Sequence, residues 1–340
     1  MVMPKLNFYT PKNTQMKKTI ITTMMFMIQV QLIQAQNVGI GTTTPKAPLN
    51  VGSNKTVLFG ADTLNGGTKM MWLPAKGAFR AGTVDNVNWN PDSIGNWSFA
   101  SGYDTRAKGS SSTAMGSRTT ASGLYSTAMG IETTASGDPS TAMGFGSTAS
   151  GNSSTSIGNN SEASGDNSTA MGAGTLAFGE FSTAIGVFTT ASGYSSTAMG
   201  ERTTASGSVS TAMGNLTTAS GNSSTAMGQT TFSKAFASLS IGRFNDSINS
   251  SNKTNWISTD PLLILGNGTS DAARSNAMVV YKNGTLQLQN QTSTPANISD
   301  KFYVLNNIPY YGANKLEPSQ LEKITEGGNT GWRLLGRNPA

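Results

Sequence analysis

The chain has no cysteine and no histidine. Without histidine there is no Ser-His-Asp or Cys-His catalysis and no histidine-held metal. Without cysteine there are no disulfides, no thiolate zinc and no sulfur nucleophile. Charged residues make up only 12% of the sequence and aromatics 8%. An ordinary mixed core is therefore not expected. What fills the 340 residues is small: 39 Gly, with Ser, Thr and Ala through much of the remainder. An exported chain of this length with no disulfide must be held by its architecture alone.

The formal charge of +6 is uneven along the chain. Lys5, Lys12, Lys17 and Lys18 lie in the first 35 residues, where there is no acid; without them, 19 basic groups face 17 acidic ones. No basic stripe remains that would suit nucleic acid. Met16-Lys17-Lys18 precedes an apolar run from Thr19 to Ile33, and Ala35 marks a small-residue exit. That order is expected of a secretory signal peptide over residues 1–35, starting at Met1 or at Met16. The run is interrupted by Gln29 and Gln31, while a membrane span needs ~20 mostly apolar residues. No transmembrane segment is expected after signal removal.

The dominant feature is a repeat. Glycine recurs every 14 residues from Gly102 to Gly242, and a second series runs seven behind the first, from Gly109 to Gly221. One half-unit reads Ser112-Thr113-Ala114-Met115-Gly116, the other Thr119-Thr120-Ala121-Ser122-Gly123. Two heptads of a coiled coil would share this period. Each helical Gly, however, costs about 1 kcal/mol relative to Ala, and Ser and Thr are weak helix formers. Thr favours strands, and glycine favours the turns between them. The expected fold is all-β: a parallel β-roll, or solenoid, of 14-residue rungs. Each rung runs strand, turn, strand, turn, and rungs stack at about 4.8 Å.

Alternation places Thr113 with Met115 on one face of the strand and Ser112 with Ala114 on the other. The large apolar column is read as the core: Met115, Met129, Met143, Ile157, Met171, Ile185, Met199, Met213, Met227 and Ile241. Thr119 and Ala121 are read as inward in the opposing strand, with Thr120 and Ser122 outward. Ala114 and its equivalents (Ala128, Ala142, Ala170, Ala184, Ala198, Ala212 and Ala226) then form a smooth outer stripe where like chains could approach. The residues after each glycine vary in type and mark the turns. Tyr125, Phe145, Phe181, Phe188 and Tyr194 are the candidate ligand-binding residues among them, because a regular scaffold displays its chemistry at its loops.

The repeat resembles the head of trimeric autotransporter adhesins of the YadA type, over roughly residues 98–242. The resemblance implies a left-handed β-roll, a homotrimer, and exposure on the surface of a Gram-negative-type bacterium. It also implies attachment to a host, matrix or cell-surface protein or glycan. Met stands where that family more often has Ile or Val. A second resemblance covers the flanks. Asn37 to Pro45 with Pro48 to Val51, and Gly266 to Thr269 with Lys282-Asn283-Gly284, are similar to modules of secreted Bacteroidetes-type fibre proteins. Asn283-Gly284 between apolar runs signals a type I′ hairpin. Trp72, Trp89 and Trp97 are expected in an irregular cap before the first rung. Gly in the second series gives way to Ala235, so the regular rod is expected to stop near Ile241.

The expected organisation is signal peptide 1–35, β segment and cap 36–97, β-roll head 98–242, C-terminal β-module with hairpin 243–310, and the start of a truncated further module at 311–340. Leu316 to Ile324 reads as a short helix. The chain departs from the YadA family in having no long heptad stalk and no strand set for a membrane barrel. The expected function is a secreted or surface-exposed, non-enzymatic adhesin head without cofactor or metal. A second reading is binding to ice or a crystalline surface through the columns Thr120, Thr134, Thr148, Thr190, Thr204 and Thr218. An enzyme would need clustered carboxylates or bases on one face. From 98 to 242 there are five basic and seven acidic residues, spread over different rungs.

Overall fold

The computed structural model describes residues 38–47, 49–60, 66–85, 87–248, 251–293, 302–311, 313–316, 321–326 and 329–334. The expected signal peptide lies outside the described residues. The chain divides into two compact units, Met1–Val57 with Leu73–Ala75 and Leu58–Trp72 with Lys76–Ala340. In the first, Val38–Ile40 pairs in parallel with Leu49–Val51. No α-helix occurs among the described residues.

The second unit holds the roll. The five-residue strands Thr113–Ser117, Thr127–Ile131, Thr141–Phe145 and their successors form one parallel sheet. The two-residue strands Arg106–Ala107, Thr120–Ala121, Thr134–Ala135 and their successors form a second sheet, ten strands in all. Register never slips: Met115 pairs with Met129, Met129 with Met143, and Ala121 with Ala135. Every strand position therefore becomes a column of like side chains.

The inner column is alanine. Ala114, Ala128, Ala142, Ala170, Ala184, Ala198, Ala212 and Ala226 are all fully buried, and so are Ala121, Ala135 and their successors from the opposite strand. Ser112 and Thr119 complete the interior, as do their equivalents; Ser112 Oγ donates to Gly109 O at 2.6 Å. The expectation of a methionine core is thus overturned. Met115 (36%), Met171 (40%), Ile185 (37%) and Met227 (38%) are exposed, while Met129, Met143, Ile157, Met199, Met213 and Ile241 are half-buried. The reason is width. One rung has only seven residues per half-turn, and two methyl groups with a hydroxyl on either side fill the space between the sheets. A thioether does not fit between them. In the short strand the reading holds: Thr119 and Ala121 point in, Thr120 and Ser122 out.

The glycine columns have separate causes. Gly186 has φ +128°, and a Cβ there would lie 2.0 Å from the Gly200 carbonyl oxygen of the next rung. Gly193 lacks such a φ, but its Cβ would also lie 2.0 Å from Gly207 O. The first column answers to conformation and stacking together, the second to stacking. Ala235 is tolerated because the second sheet ends at Phe232–Ser233, so no further rung of that sheet stacks on it.

Both ends are closed by polar side chains. The first sheet extends backward through Ala78–Val84, which pairs in parallel with Phe99–Tyr103. The cap is therefore regular on that side and irregular on the other, where two short 3-10 turns cover the second sheet. Arg80 continues the alanine column, in register with Ala100, and is fully buried. Its guanidinium donates to Ser98 O at 3.0 Å and Ala107 O at 3.0 Å, carbonyls that also accept from Phe79 N and Gly95 N. Burial pushes its pKa down to about 10, still charged at neutral pH. The buried Trp89 indole donates to Thr105 O at 2.7 Å; Trp72 and Trp97 stay exposed.

At the other end Asn245 imitates a strand. Its Oδ1 accepts from Phe232 N at 2.7 Å and its Nδ2 donates to Phe232 O at 2.9 Å. The first sheet does not stop at Ile241: Leu239–Arg243 pairs in parallel with Pro261–Asn267, which pairs antiparallel with Asn276–Tyr281. The hairpin at Asn283-Gly284 joins Asn276–Tyr281 to Leu286–Leu288. Gly284 has positive φ (+84°) but Asn283 does not, so the turn is a glycine-bulge connection rather than type I′. Leu321–Glu326 is a strand paired with Asn329–Leu334, not part of a helix.

Candidate functional surfaces

Four surfaces of the roll face outward. Two are its edges, formed by the turns after each glycine column. The other two are the outer faces of the first and second sheets.

The turn residues are held in an unusual backbone conformation. The second residue after the glycine takes positive φ in nearly every turn: Arg118 +53°, Tyr125 +57°, Phe181 +58°, Phe188 +53°, Val209 +56°. This region is disfavoured for side chains other than Gly, Asn and Asp, and most of all for β-branched ones. A hydrogen bond to the rung below fixes it each time. Tyr125 N donates to Ser110 O at 2.9 Å, Arg118 N to Tyr103 O at 2.8 Å and Val209 N to Tyr194 O at 2.7 Å. Asn160 and Asn167 adopt the same conformation at φ +49° and +57°. Val209→Asn is accordingly expected to stabilise the roll by about 1 kcal/mol, seen as a raised melting temperature. A lowered one would contradict the assigned turn geometry.

The five candidate aromatics are all exposed, yet they do not form one site. Tyr125, Phe181 and Tyr194 lie on the edge that follows the second glycine column. Phe145 and Phe188 lie on the opposite edge. Phe181 and Tyr194 meet edge to face with centroids 5.7 Å apart, and Arg202 stands over Phe188 at 5.7 Å. Phe178, also exposed, replaces the outward serine of its rung beside the Phe181 edge; sequence reading missed it among the serines. Its signal was the break in the Thr-Thr-Ala-Ser-Gly pattern at Leu176 to Gly179.

The same edge carries a side-chain ladder. Asp138 Oδ1 accepts from Leu124 N, Asn152 Oδ1 from Asp138 N at 3.2 Å, and Asp166 Oδ1 from Asn152 N at 2.8 Å. These short polar groups cover backbone N–H groups that the strands leave free at the turn. The outward threonine column of the second sheet is broken by Glu162 and Leu176 and ends at Phe232. A flat threonine array for an ice lattice is therefore interrupted in mid-roll. No cluster of metal-ligating side chains occurs among the described residues.

The outer face of the first sheet is the most uniform surface. From Thr113 to Ile241 the Thr/Met pair repeats there in unbroken register, with Ile157, Ile185 and Ile241 replacing methionine and Leu239 the last threonine. It forms an apolar stripe running the length of the roll.

The roll is a parallel β-solenoid of strictly repeated 14-residue rungs, with variable edges and one apolar face. Its rungs match the family model of the YadA head domain repeat over residues 107–133, 135–161, 163–189, 191–215 and 210–231. Residues 107–231 thus carry YadA head domain repeats. A comparison with curated proteins gives no match. Among the described residues no helix is long and apolar enough to cross a membrane.

Proposed function

We propose that the chain forms the head of a secreted, surface-displayed homotrimeric adhesin. In this reading the Thr/Met face of each protomer packs against two copies of itself. The two edges stay in solvent and contact a matrix or cell-surface protein or glycan. Exposed apolar stripes of this length are uncommon on monomers and mark association surfaces. The observation that carries the reading is the methionine column itself: it turns outward, yet stays apolar in every rung from Met115 to Ile241.

The interface proposed first from sequence, through Ala114 and its equivalents, is replaced by this one, since those methyl groups are sealed inside the protomer. Met side chains adapt to irregular contacts better than branched ones, which suits a face that must meet two neighbours. Sedimentation of the full chain tests the proposal. The unaltered protein should run as a trimer. Met171→Asp with Met199→Asp should give monomers that keep their strand spectrum, because both side chains point outward. A monomeric unaltered chain would remove the trimer reading.

A further inference from the structure

Beyond the roll, the strands Asn276–Tyr281, Leu286–Leu288 and Phe302–Leu305 border an open groove of about 620 Å³. This lies within the common range for small-ligand sites, roughly 300–1,000 Å³. We propose that the groove is a saccharide-binding site for a neutral mono- or disaccharide unit. It is separate from the head edges and goes beyond the adhesin reading, since neither trimer formation nor the edge aromatics are needed for it.

The argument rests on which polar groups are already used and which are left. Tyr281 Oη donates to Gln287 Oε1 at 2.6 Å, and Asn267 Nδ2 donates to Gln289 Oε1 at 2.7 Å. Both glutamine amides lining the groove are thereby oriented through their oxygens. Their Nε2 groups have no acceptor among the described residues, which leaves two NH₂ donors held in place. The Asp246 carboxylate, also on the wall, likewise has no partner among the described residues. Its backbone is pinned by Asn276, with Asp246 N donating to Asn276 Oδ1 at 2.9 Å and Asn276 Nδ2 donating to Asp246 O at 2.9 Å. Val279, Leu288 and Val304 add apolar wall, and Tyr281 contributes an aromatic ring.

Oriented donors, one strong acceptor and a partly apolar lining match a sugar. A hydroxyl can accept from an amide and donate to a carboxylate, while the ring C–H groups rest on carbon. An anionic ligand fits less well. Arg274, the one cation on the wall, is spent on Thr230 O at 3.1 Å, Asn245 O at 3.0 Å and an ion pair with Asp271. Its guanidinium also lies 4.4 Å over the Phe232 ring. The free carboxylate of Asp246 would repel phosphate or sialate.

The test uses the labelled full chain on a printed panel of neutral and sialylated oligosaccharides, then titration with the best neutral hit. Gln287→Ala with Gln289→Ala is compared with Tyr125→Ala with Phe181→Ala, and every sample is sedimented. Loss of an amide donor pair should weaken neutral-sugar binding by roughly tenfold or more, while the edge variant binds as before. Each variant should keep the oligomeric state of the unaltered chain. No binding to any neutral sugar, or equal binding by the glutamine variant, would overturn the site. Loss only in the edge variant would also overturn it and move recognition to the head. A chain that binds sugar through the groove but sediments as a monomer would uphold the site and sink the trimer.

Discussion

Ala198→Leu should unfold the middle of the roll, while Met199→Leu, one residue along, should change almost nothing. Ala198 is fully buried and stacks in register between Ala184 and Ala212. The added carbon atoms have no cavity to enter. They must push the two sheets apart, and a displaced rung disturbs the rungs on both sides because each is bonded to its neighbours. Overpacking typically costs 1–3 kcal/mol, and in so narrow an interior a loss of about 3 kcal/mol or more is expected. Met199 lies on the outward face, where a leucine of similar volume should cost under about 1 kcal/mol. Chemical denaturation of the two variants compares them directly. Equal midpoints would mean that the interior is not where the alanines are.

Gly186→Ala is expected to be as damaging, for a different reason. Its φ of +128° belongs to a region almost reserved for glycine, and the new Cβ would lie 2.0 Å from the carbonyl oxygen of Gly200. Relief requires shifting backbone that is itself hydrogen-bonded in register. Backbone strain of ~1–3 kcal/mol adds to the clash. Gly146→Asn is the control. Its φ of +62° is one that Asn160 adopts a rung later, and the nearest atom to a Cβ there is the flexible Asn160 Oδ1. Melting temperatures should fall sharply for the first variant and little for the second. If both fell together, the glycine at 186 would be only a turn residue.

Much of the architecture was legible because it is repetitive. Two glycine columns and an unslipped period leave little choice but stacked rungs. Alternation also separated Met115 from Ala114 correctly. What it could not say is which of the two faces inward, since a period of two is symmetric under exchange of faces. Size then misled: the larger side chain was taken for the core. The better signal was intolerance. The alanine column admits only Ser156 and Ser240 as substitutes, whereas the methionine column accepts Ile157, Ile185 and Ile241. A position limited to the smallest side chains is one with no room.

The rest was hidden because it does not repeat. Arg80 and Asn245 each act through side-chain hydrogen bonds to backbone 13 or more residues away, and nothing in their neighbourhood marks them. The groove between Asp246 and Gln289 is assembled from separate strands whose pairing no local pattern announces. At Leu316 to Ile324 the sequence, with Pro318 near the start, suggests a short helix. Pairing with Asn329 to Leu334 prevails over that weak preference.

Closure at Arg80 and at Asn245 fixes where the stack begins and ends without fixing how many layers lie between. Any internal rung meets the same surface above and below, so one can be duplicated or deleted while both lids still fit. Reach can therefore be lengthened or shortened by whole layers through recombination among near-identical gene segments. The sealed ends meanwhile keep separate molecules from joining into an endless filament.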